Sequence, residues 1–275
     1  MTFQIKRRFS CFVTIAVATF GVLATTSSVH AQSINPTLDD VFQLRVGPFF
    51  ANFDTKVDIQ GSPFDQEQLD DNKTTAAGFV RWRITPKFHL SLGYSQISSD
   101  DTTALSADTP IGGINVPAGT VLSQDYETSN IPISLAYAFI KNQKTEFGVA
   151  AGVNVTTIKN RVSIGVPGAP TLTPIDQDIT EPLPTIGLFW HQALSPQWIL
   201  NAELGYMGLE VGGLDGNFYN SLLAIEWRPL KNVGFGASYL YNKADGTITS
   251  NGITTTFDYQ YDGPFAYLMF GGGTR

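Results

Sequence analysis

Trp82-Arg83-Ile84-Thr85-Pro86-Lys87-Phe88-His89-Leu90 decides the fold, because its pattern recurs. It returns as Trp190-His191-Gln192-Ala193-Leu194-Ser195-Pro196-Gln197-Trp198-Ile199-Leu200 and, shortened, as Trp227-Arg228-Pro229-Leu230-Lys231-Asn232-Val233-Gly234-Phe235. Phe139-Ile140-Lys141-Asn142-Gln143-Lys144-Thr145-Glu146-Phe147 is a fourth copy without Pro. Each time an aromatic closes one alternating stretch, a turn follows, and an apolar or aromatic residue opens the next. All 4 Trp sit beside these turns. A soluble core scatters its Trp. A band of aromatics at one height of a sheet is what a membrane–water interface selects, since an indole is apolar with one polar N–H.

Working outward, ten strands are predicted at 42–60, 73–85, 87–106, 120–141, 144–165, 177–194, 197–211, 217–229, 231–249 and 253–271. Most have period 2. Phe88, Leu90, Leu92 and Tyr94 alternate with His89, Ser91, Gly93 and Ser95. Trp198, Leu200, Ala202, Leu204 and Tyr206 alternate with Ile199, Asn201, Glu203 and Gly205. One face is aliphatic and aromatic; the other is Gly, Ala and Ser with a few charges. Large residues facing lipid and small ones facing a narrow lumen fit this pattern, whereas a soluble sandwich buries its large face. The links near 85–87, 141–144, 194–197 and 229–232 are tight. Those near 61–72, 107–119, 165–176 and 244–253 are longer and polar, and 211–216 is the shortest of that set. Short turns at one end and long loops at the other predict an up-and-down transmembrane β-barrel with both termini in the periplasm. Ten strands is the primary reading, and eight the alternative if the first and last are misdrawn.

The N-terminus reads as a secretory signal over residues 1–31. Lys6, Arg7 and Arg8 precede an apolar run from Phe9 to Ala24, and Val29-His30-Ala31 fits a cleavage site. The barrel domain then occupies 32–275. The single Cys, Cys11, falls within the leader, so the mature chain carries no disulfide and no Cys-ligated metal. Residues 1–31 hold three of the 17 Lys+Arg and none of the 24 Asp+Glu, leaving 14 cations against 24 anions, a net charge of −10. That balance argues against nucleic acid as a partner. No apolar run after residue 31 is long enough for a transmembrane helix.

In these features the mature chain resembles the small bacterial outer-membrane β-barrel proteins. The residues that carry the likeness include Arg45-Val46-Gly47-Pro48-Phe49-Phe50, Leu92-Gly93-Tyr94, Val116-Pro117-Ala118-Gly119 and Tyr261-Asp262-Gly263-Pro264-Phe265. The resemblance implies outer-membrane lipid and lipopolysaccharide as surroundings, and the barrel-assembly machinery as a partner in biogenesis. It also implies a terminal aromatic read by that machinery. Here Phe270 is followed by Gly271-Gly272-Gly273-Thr274-Arg275, so Phe270 is the candidate.

Two groups of candidate residues follow. Arg45, Arg81, Arg83, Glu203, Glu226 and Arg228 fall on the small-residue phase and form a predicted polar network in the lumen. An Arg facing lipid at mid-bilayer would cost about 2–4 kcal/mol. Trp82, Phe88, Phe139, Phe147, Trp190, Trp198 and Trp227 form the predicted periplasmic aromatic girdle. The network either fills and closes the lumen or lines a path for a small solute; the narrow interior favours filling. His89 and His191 lie at the tight-turn end on the lumen phase, away from the outer rim where the barrel proteases and lipid A-modifying hydrolases keep theirs. No catalytic residue, cofactor site or metal site is assigned. The acidic loop residues Asp65, Glu67, Asp70, Asp71, Asp100, Asp101, Asp176 and Asp178 lack calcium-loop spacing. The predicted function is non-enzymatic: envelope structure or surface interaction through the loops, with a narrow channel as the alternative.

Overall fold

The computed structural model describes residues 33–59, 67–104, 108–111, 114–165, 175–211, 214–250 and 253–273. The predicted leader lies outside them. A short 3-10 turn, Pro36–Leu38, precedes twelve strands: β1 (Phe42–Ile59), β2 (Glu67–Arg83), β3 (Phe88–Ala104), β4 (Thr109–Ile111), β5 (Ile114–Val116), β6 (Val121–Lys141), β7 (Thr145–Gly165), β8 (Ile175–Ala193), β9 (Trp198–Val211), β10 (Leu214–Trp227), β11 (Val233–Ser250) and β12 (Ile253–Gly272). Ten of them close an antiparallel up-and-down barrel in the order β1-β12-β11-β10-β9-β8-β7-β6-β3-β2. The ten-strand reading holds and the eight-strand alternative falls. β4 and β5 form a separate hairpin within the long 107–119 link, where an unbroken loop was expected. β2 begins six residues before its predicted start, so much of the expected 61–72 loop is strand.

The recurrent turn has one local cause. In three copies the first polar residue folds its side-chain oxygen over the next backbone N–H groups. Thr85 Oγ1 accepts from Lys87 N at 3.3 Å and Phe88 N at 3.0 Å. Ser195 Oγ does the same for Gln197 N at 3.2 Å and Trp198 N at 3.0 Å. Asn142 Oδ1 takes Lys144 N and Thr145 N, each at 2.9 Å. Such a turn satisfies donors that the ladder has released, which is why a Pro is welcome in it and dispensable. The copy at Pro229 has no such residue. There the Arg228 guanidinium donates to the Lys231 carbonyl instead.

Outward residues form an apolar wall. Phe42 and Phe50 on β1, Trp198 and Tyr206 on β9, and Trp227 and Tyr219 on β10 are all exposed. In each pair the two residues are eight positions apart. Eight residues span about 26 Å along a strand, or about 20 Å along the axis at a tilt of about 40°. That is close to the apolar height of a membrane barrel. Tyr94, Tyr206 and Tyr239 mark the far edge of this band. Tyr94 and Tyr206 hydrogen-bond polar side chains, Gln96 at 2.6 Å and Asn217 at 2.9 Å, and Tyr239 bonds Asp262. Beyond them the outer face becomes polar, as with Lys159–Glu127 at 2.8 Å and Lys243–Asp258 at 3.1 Å. A membrane crossing needs about 9–11 residues; β6 and β7, at 21 each, therefore run well past it.

The inward face departs from the expected rule of small residues. Phe49 on β1, Phe79 on β2, Phe189 on β8, and Tyr259, Tyr261, Phe265 and Tyr267 on β12 point inside and are mostly buried. Glycines on neighbouring strands leave the space that these rings need. A Cβ at Gly236 would lie 2.3 Å from the Tyr267 ring, at Gly93 2.6 Å from Phe79, and at Gly148 2.7 Å from Phe189. The volume missing from one strand is supplied by the next, so these rings pack across the interior.

Candidate functional site

The buried polar layer lies at the tight-turn end. Arg45 Nε meets Glu226 Oε1 at 2.7 Å, from β1 to β10, with two strands between them. Tyr267 Oη donates to the same Glu226 oxygen at 2.9 Å. Arg83 holds Glu146 through two nitrogens, at 2.7 and 2.8 Å, from β2 to β7. Arg81 reaches from β2 to His191 on β8, 3.2 Å from Nδ1, and donates to Gln43 Oε1 at 2.6 Å. Arg45–Glu226, Arg83–Glu146 and Arg81–His191 are chords across the lumen, whereas Arg81–Gln43 joins paired residues of neighbouring strands. Arg81, Arg83, His89, Glu146, His191, Glu226 and Arg228 are all 4% exposed or less. At such burial an ion stands only because it is paired and hydrogen-bonded.

Under this layer sits a segment to which the sequence reading gave no role. Residues 33–41 enter the tight-turn mouth, and Asn35, Thr37, Leu38 and Asp40 are buried. Arg228 pairs with Asp40. The Thr37 carbonyl accepts from Gln43 Nε2 at 2.7 Å and Arg81 Nη2 at 3.1 Å. Lys141 Nζ donates to the Leu38 carbonyl at 2.5 Å, Asn35 Nδ2 to the Ser195 carbonyl at 3.2 Å, and Ile34 N to the Gln143 carbonyl at 2.9 Å. Leu38 packs on Ala193 and Ile199. The segment is thus fastened to β1, β2, β6 and three of the tight turns.

Lys141 joins the layer through an irregularity. Its position on β6 belongs to the outward phase. A register shift between Ala138 and Ile140 places Phe139 and Ile140 both outside, 47% and 46% exposed, and turns Lys141 in, 3.7 Å from Glu146 Oε2. A bulge adds one residue and so reverses the alternation beyond it.

Five of the six residues assigned to the network from sequence, Arg45, Arg81, Arg83, Glu226 and Arg228, lie in this layer. Glu203 does not. It faces inward opposite Phe189 and Leu222 but is exposed, and it makes no hydrogen bond or ion pair among the described residues. It stands one row above the layer, beyond the cations already held by Glu146, Glu226 and Asp40. Sequence reasoning missed Gln43, Asp40, Lys141, Glu146 and Tyr267. Glu146 and Gln43 shared the inward phase and could have been found; Asp40 and Lys141 carried no periodic signal. The seven aromatics assigned to a girdle all face outward beside the tight turns. Trp198 stacks on Trp227 at 6.1 Å, Trp227 on Phe235 at 6.0 Å, and Phe139 meets Phe147 edge-on at 5.0 Å. Phe42, Tyr137, Phe235 and Phe270 extend the same belt.

No family model matches the chain, and no characterised protein matches it by sequence. Solved structures do. The outer-membrane protease OmpT of Escherichia coli is similar, with a TM-score of 0.59 at 12% identity over 84% of this chain and 96% of that one. The translocator domain of the autotransporter NalP from Neisseria meningitidis gives 0.46 at 10% identity, over 82% and 88%. The attachment invasion locus protein Ail of Yersinia pestis gives 0.29 at 10% identity, over 84% and 99%. The fold is that of the bacterial outer-membrane β-barrels. At these identities the likeness extends to the fold alone.

Proposed function

We propose that this chain is a non-enzymatic outer-membrane barrel with a lumen closed at its periplasmic end, acting through the surface it presents at the long-loop end. One observation carries the reading. Residues 33–41 fill the tight-turn mouth beneath three polar chords, Arg45–Glu226, Arg83–Glu146 and Arg81–His191. The tight turns are assigned to the periplasm because barrels of this type keep short turns there and long loops outside. Outer-membrane lipid, with lipopolysaccharide in the outer leaflet, covers the apolar wall. The assembly machinery reads Phe270 from within the last strand. Both histidines support the non-enzymatic reading: each is buried in the layer beside Glu146, where no external substrate reaches. Planar-bilayer recording tests the closure. Repeated insertions should give no discrete channel events; reproducible unitary conductance from the intact chain would sink the reading.

A narrow solute channel is the second reading. It is favoured by several buried lumen atoms that have no partner, including Asn130 Nδ2, Asn154 Oδ1, Ser238 Oγ and Glu226 Oε2. Such atoms are hydrated in most proteins. The same recording decides between the two.

A further inference from the structure

The barrel wall parts at two seams above the apolar band. β2 pairs with β3 from Arg83 opposite His89 up to Ala77 opposite Ser95, and β8 pairs with β9 from Ala193 opposite Ile199 up to Ile186 opposite Tyr206. Among the described residues neither ladder goes further, although all four strands continue. Both stop at the far edge of the band, which Tyr94 and Tyr206 mark. Inside hydrocarbon every main-chain N–H needs a partner in the protein; beyond it water serves, so the wall is free to part there. The hydrogen-bond phase shows which groups face the seams. Ile84 N donates to the Phe88 carbonyl at 2.9 Å, so even-numbered residues of β2 and β3 turn their main chains toward each other, while Arg83 N and the Lys87 carbonyl serve the outer neighbours. The registers of β2 with β1 and of β3 with β6 run on without a shift. Asn72, Thr74 and Ala76 therefore present N–H and C=O groups to the seam from one side, and Gln96, Ser98 and Asp100 from the other. In the second seam the phase is set by Leu194 N, which donates to the Trp198 carbonyl at 2.9 Å, and it makes Pro182 and Pro184 the seam-facing residues of β8. Pro there removes edge donors and blocks strand addition. The β2–β3 seam has no Pro on either side, over 67–76 or 96–104.

We propose that the β2–β3 seam docks an extended polypeptide segment rich in Lys or Arg, which adds as a strand along these edges. The proposal rests on the reading of the long-loop end as the acting surface and names its partner. Main-chain pairing to a free edge supplies affinity, and the side chains beside it supply selection. Asn72, Thr74, Ala76 and Ser98 are exposed, so the edges are reachable from outside. Charge selects the partner. Residues 67–76 hold Glu67, Asp70 and Asp71 against Lys73, and 96–104 hold Asp100 and Asp101 with no cation. The register sets Asp70 opposite Asp54 and Asp100 opposite Asp125, and like charges directly opposite repel. The cations of the flanking strands have acids of their own: Lys56 stands opposite Asp258, and Arg161 between Asp125 and Asp176. A second copy of this chain would bring the same acids to the edge, whereas a cationic strand relieves the repulsion.

The experiment is fluorescence anisotropy of a labelled peptide of alternating Lys and Thr, added to the full barrel in neutral detergent. Saturable binding is expected. The same peptide N-methylated along one edge keeps its charge and loses its ladder donors, and it should bind about tenfold more weakly or worse. The unmodified peptide should lose about as much on Ser98→Pro, and on Asp100→Asn combined with Asp101→Asn. A peptide of alternating Glu and Thr should not bind. The Ser98 N–H faces the seam rather than β6, so Ser98→Pro should keep the wild-type heat-modifiable gel shift; if it fails to fold, the N-methylated peptide decides alone. Absence of saturable binding to the wild type at about 0.1 mM overturns the proposal. So does equal binding of the N-methylated peptide, which would leave charge attraction alone, or equal binding of the Glu peptide. None of these outcomes depends on conductance, which tests the closed lumen separately.

Discussion

Arg83 and Glu146 face each other as a two-pronged pair, Nη1 to Oε1 at 2.7 Å and Nη2 to Oε2 at 2.8 Å, although they come from strands that do not touch. The pair spans the lumen with both partners buried. Removing one partner leaves the other charged and unpaired. Glu146→Leu would strand Arg83 together with Lys141, 3.7 Å from the same carboxylate. We predict a loss of about 3–5 kcal/mol for either Glu146→Leu or Arg83→Met. The double substitution should recover part of that loss, because the Arg83 guanidinium is no longer buried unpaired, while Lys141 keeps the Leu38 carbonyl at 2.5 Å and Asp39 at 3.8 Å. Urea unfolding in lipid vesicles checks this through a double-mutant cycle; additive losses would show that the two residues act independently.

The closure beneath the layer depends on a glycine. A Cβ at Gly271 would lie 2.2 Å from Asp40 Oδ2 and 2.9 Å from Arg228 Nη2. We predict that Gly271→Ala displaces Asp40 and costs about as much as Asp40→Ala. Combining the two should add little, since both remove one ion pair. Thermal loss of the folded gel band measures it. Full additivity would mean that Gly271 matters for another reason.

The outward face was legible from sequence because lipid acts on it one residue at a time. Trp82, Trp190, Trp198 and Trp227 each meet the same solvent boundary, so their spacing reports it directly. The interior is selected differently. Tyr267 is accommodated by Gly236 on the next strand, and the register that joins them is not written in either strand's own alternation. Asp40 sits in a segment of no period, and Lys141 is turned inward by a bulge. Glu203 had the right phase for the network and the wrong height. Phase is a local property; height and partner depend on stagger around the whole barrel.

That dependence makes the aromatic–glycine pairs testable. A methyl at Gly236 would meet the Tyr267 ring at 2.3 Å, and a buried ring cannot yield without moving Glu226, to which its hydroxyl donates. Gly236→Ala should therefore destabilise by about 1–3 kcal/mol as overpacking. Gly236→Ala on a Tyr267→Ala background should cost far less. Urea midpoints of the four proteins provide the check, and an undiminished penalty on that background would exclude the ring as the cause.

The bulge on β6 offers the sharpest prediction about the membrane face. Phe139 and Ile140 point out together, and Lys141 points in because of the register shift between Ala138 and Ile140. Inserting an Ala between Ile140 and Lys141 puts the Ala on the inward phase and carries Lys141 to the outer face. The side chain then loses the Leu38 carbonyl at 2.5 Å and Glu146 at 3.7 Å. Its position at the tight-turn edge lets the ammonium reach the interface, so the cost of exposure falls toward about 0–1 kcal/mol instead of the mid-bilayer value of about 2–4. Most of the damage should come from the layer it leaves. The insertion combined with Lys141→Leu should consequently be no more stable than the insertion alone. If lipid contact were the main cost, the Leu would rescue folding. Folding yield into vesicles, read by heat-modifiable migration, separates these outcomes, and a rescue would place Lys141 at the depth of the hydrocarbon rather than at its edge.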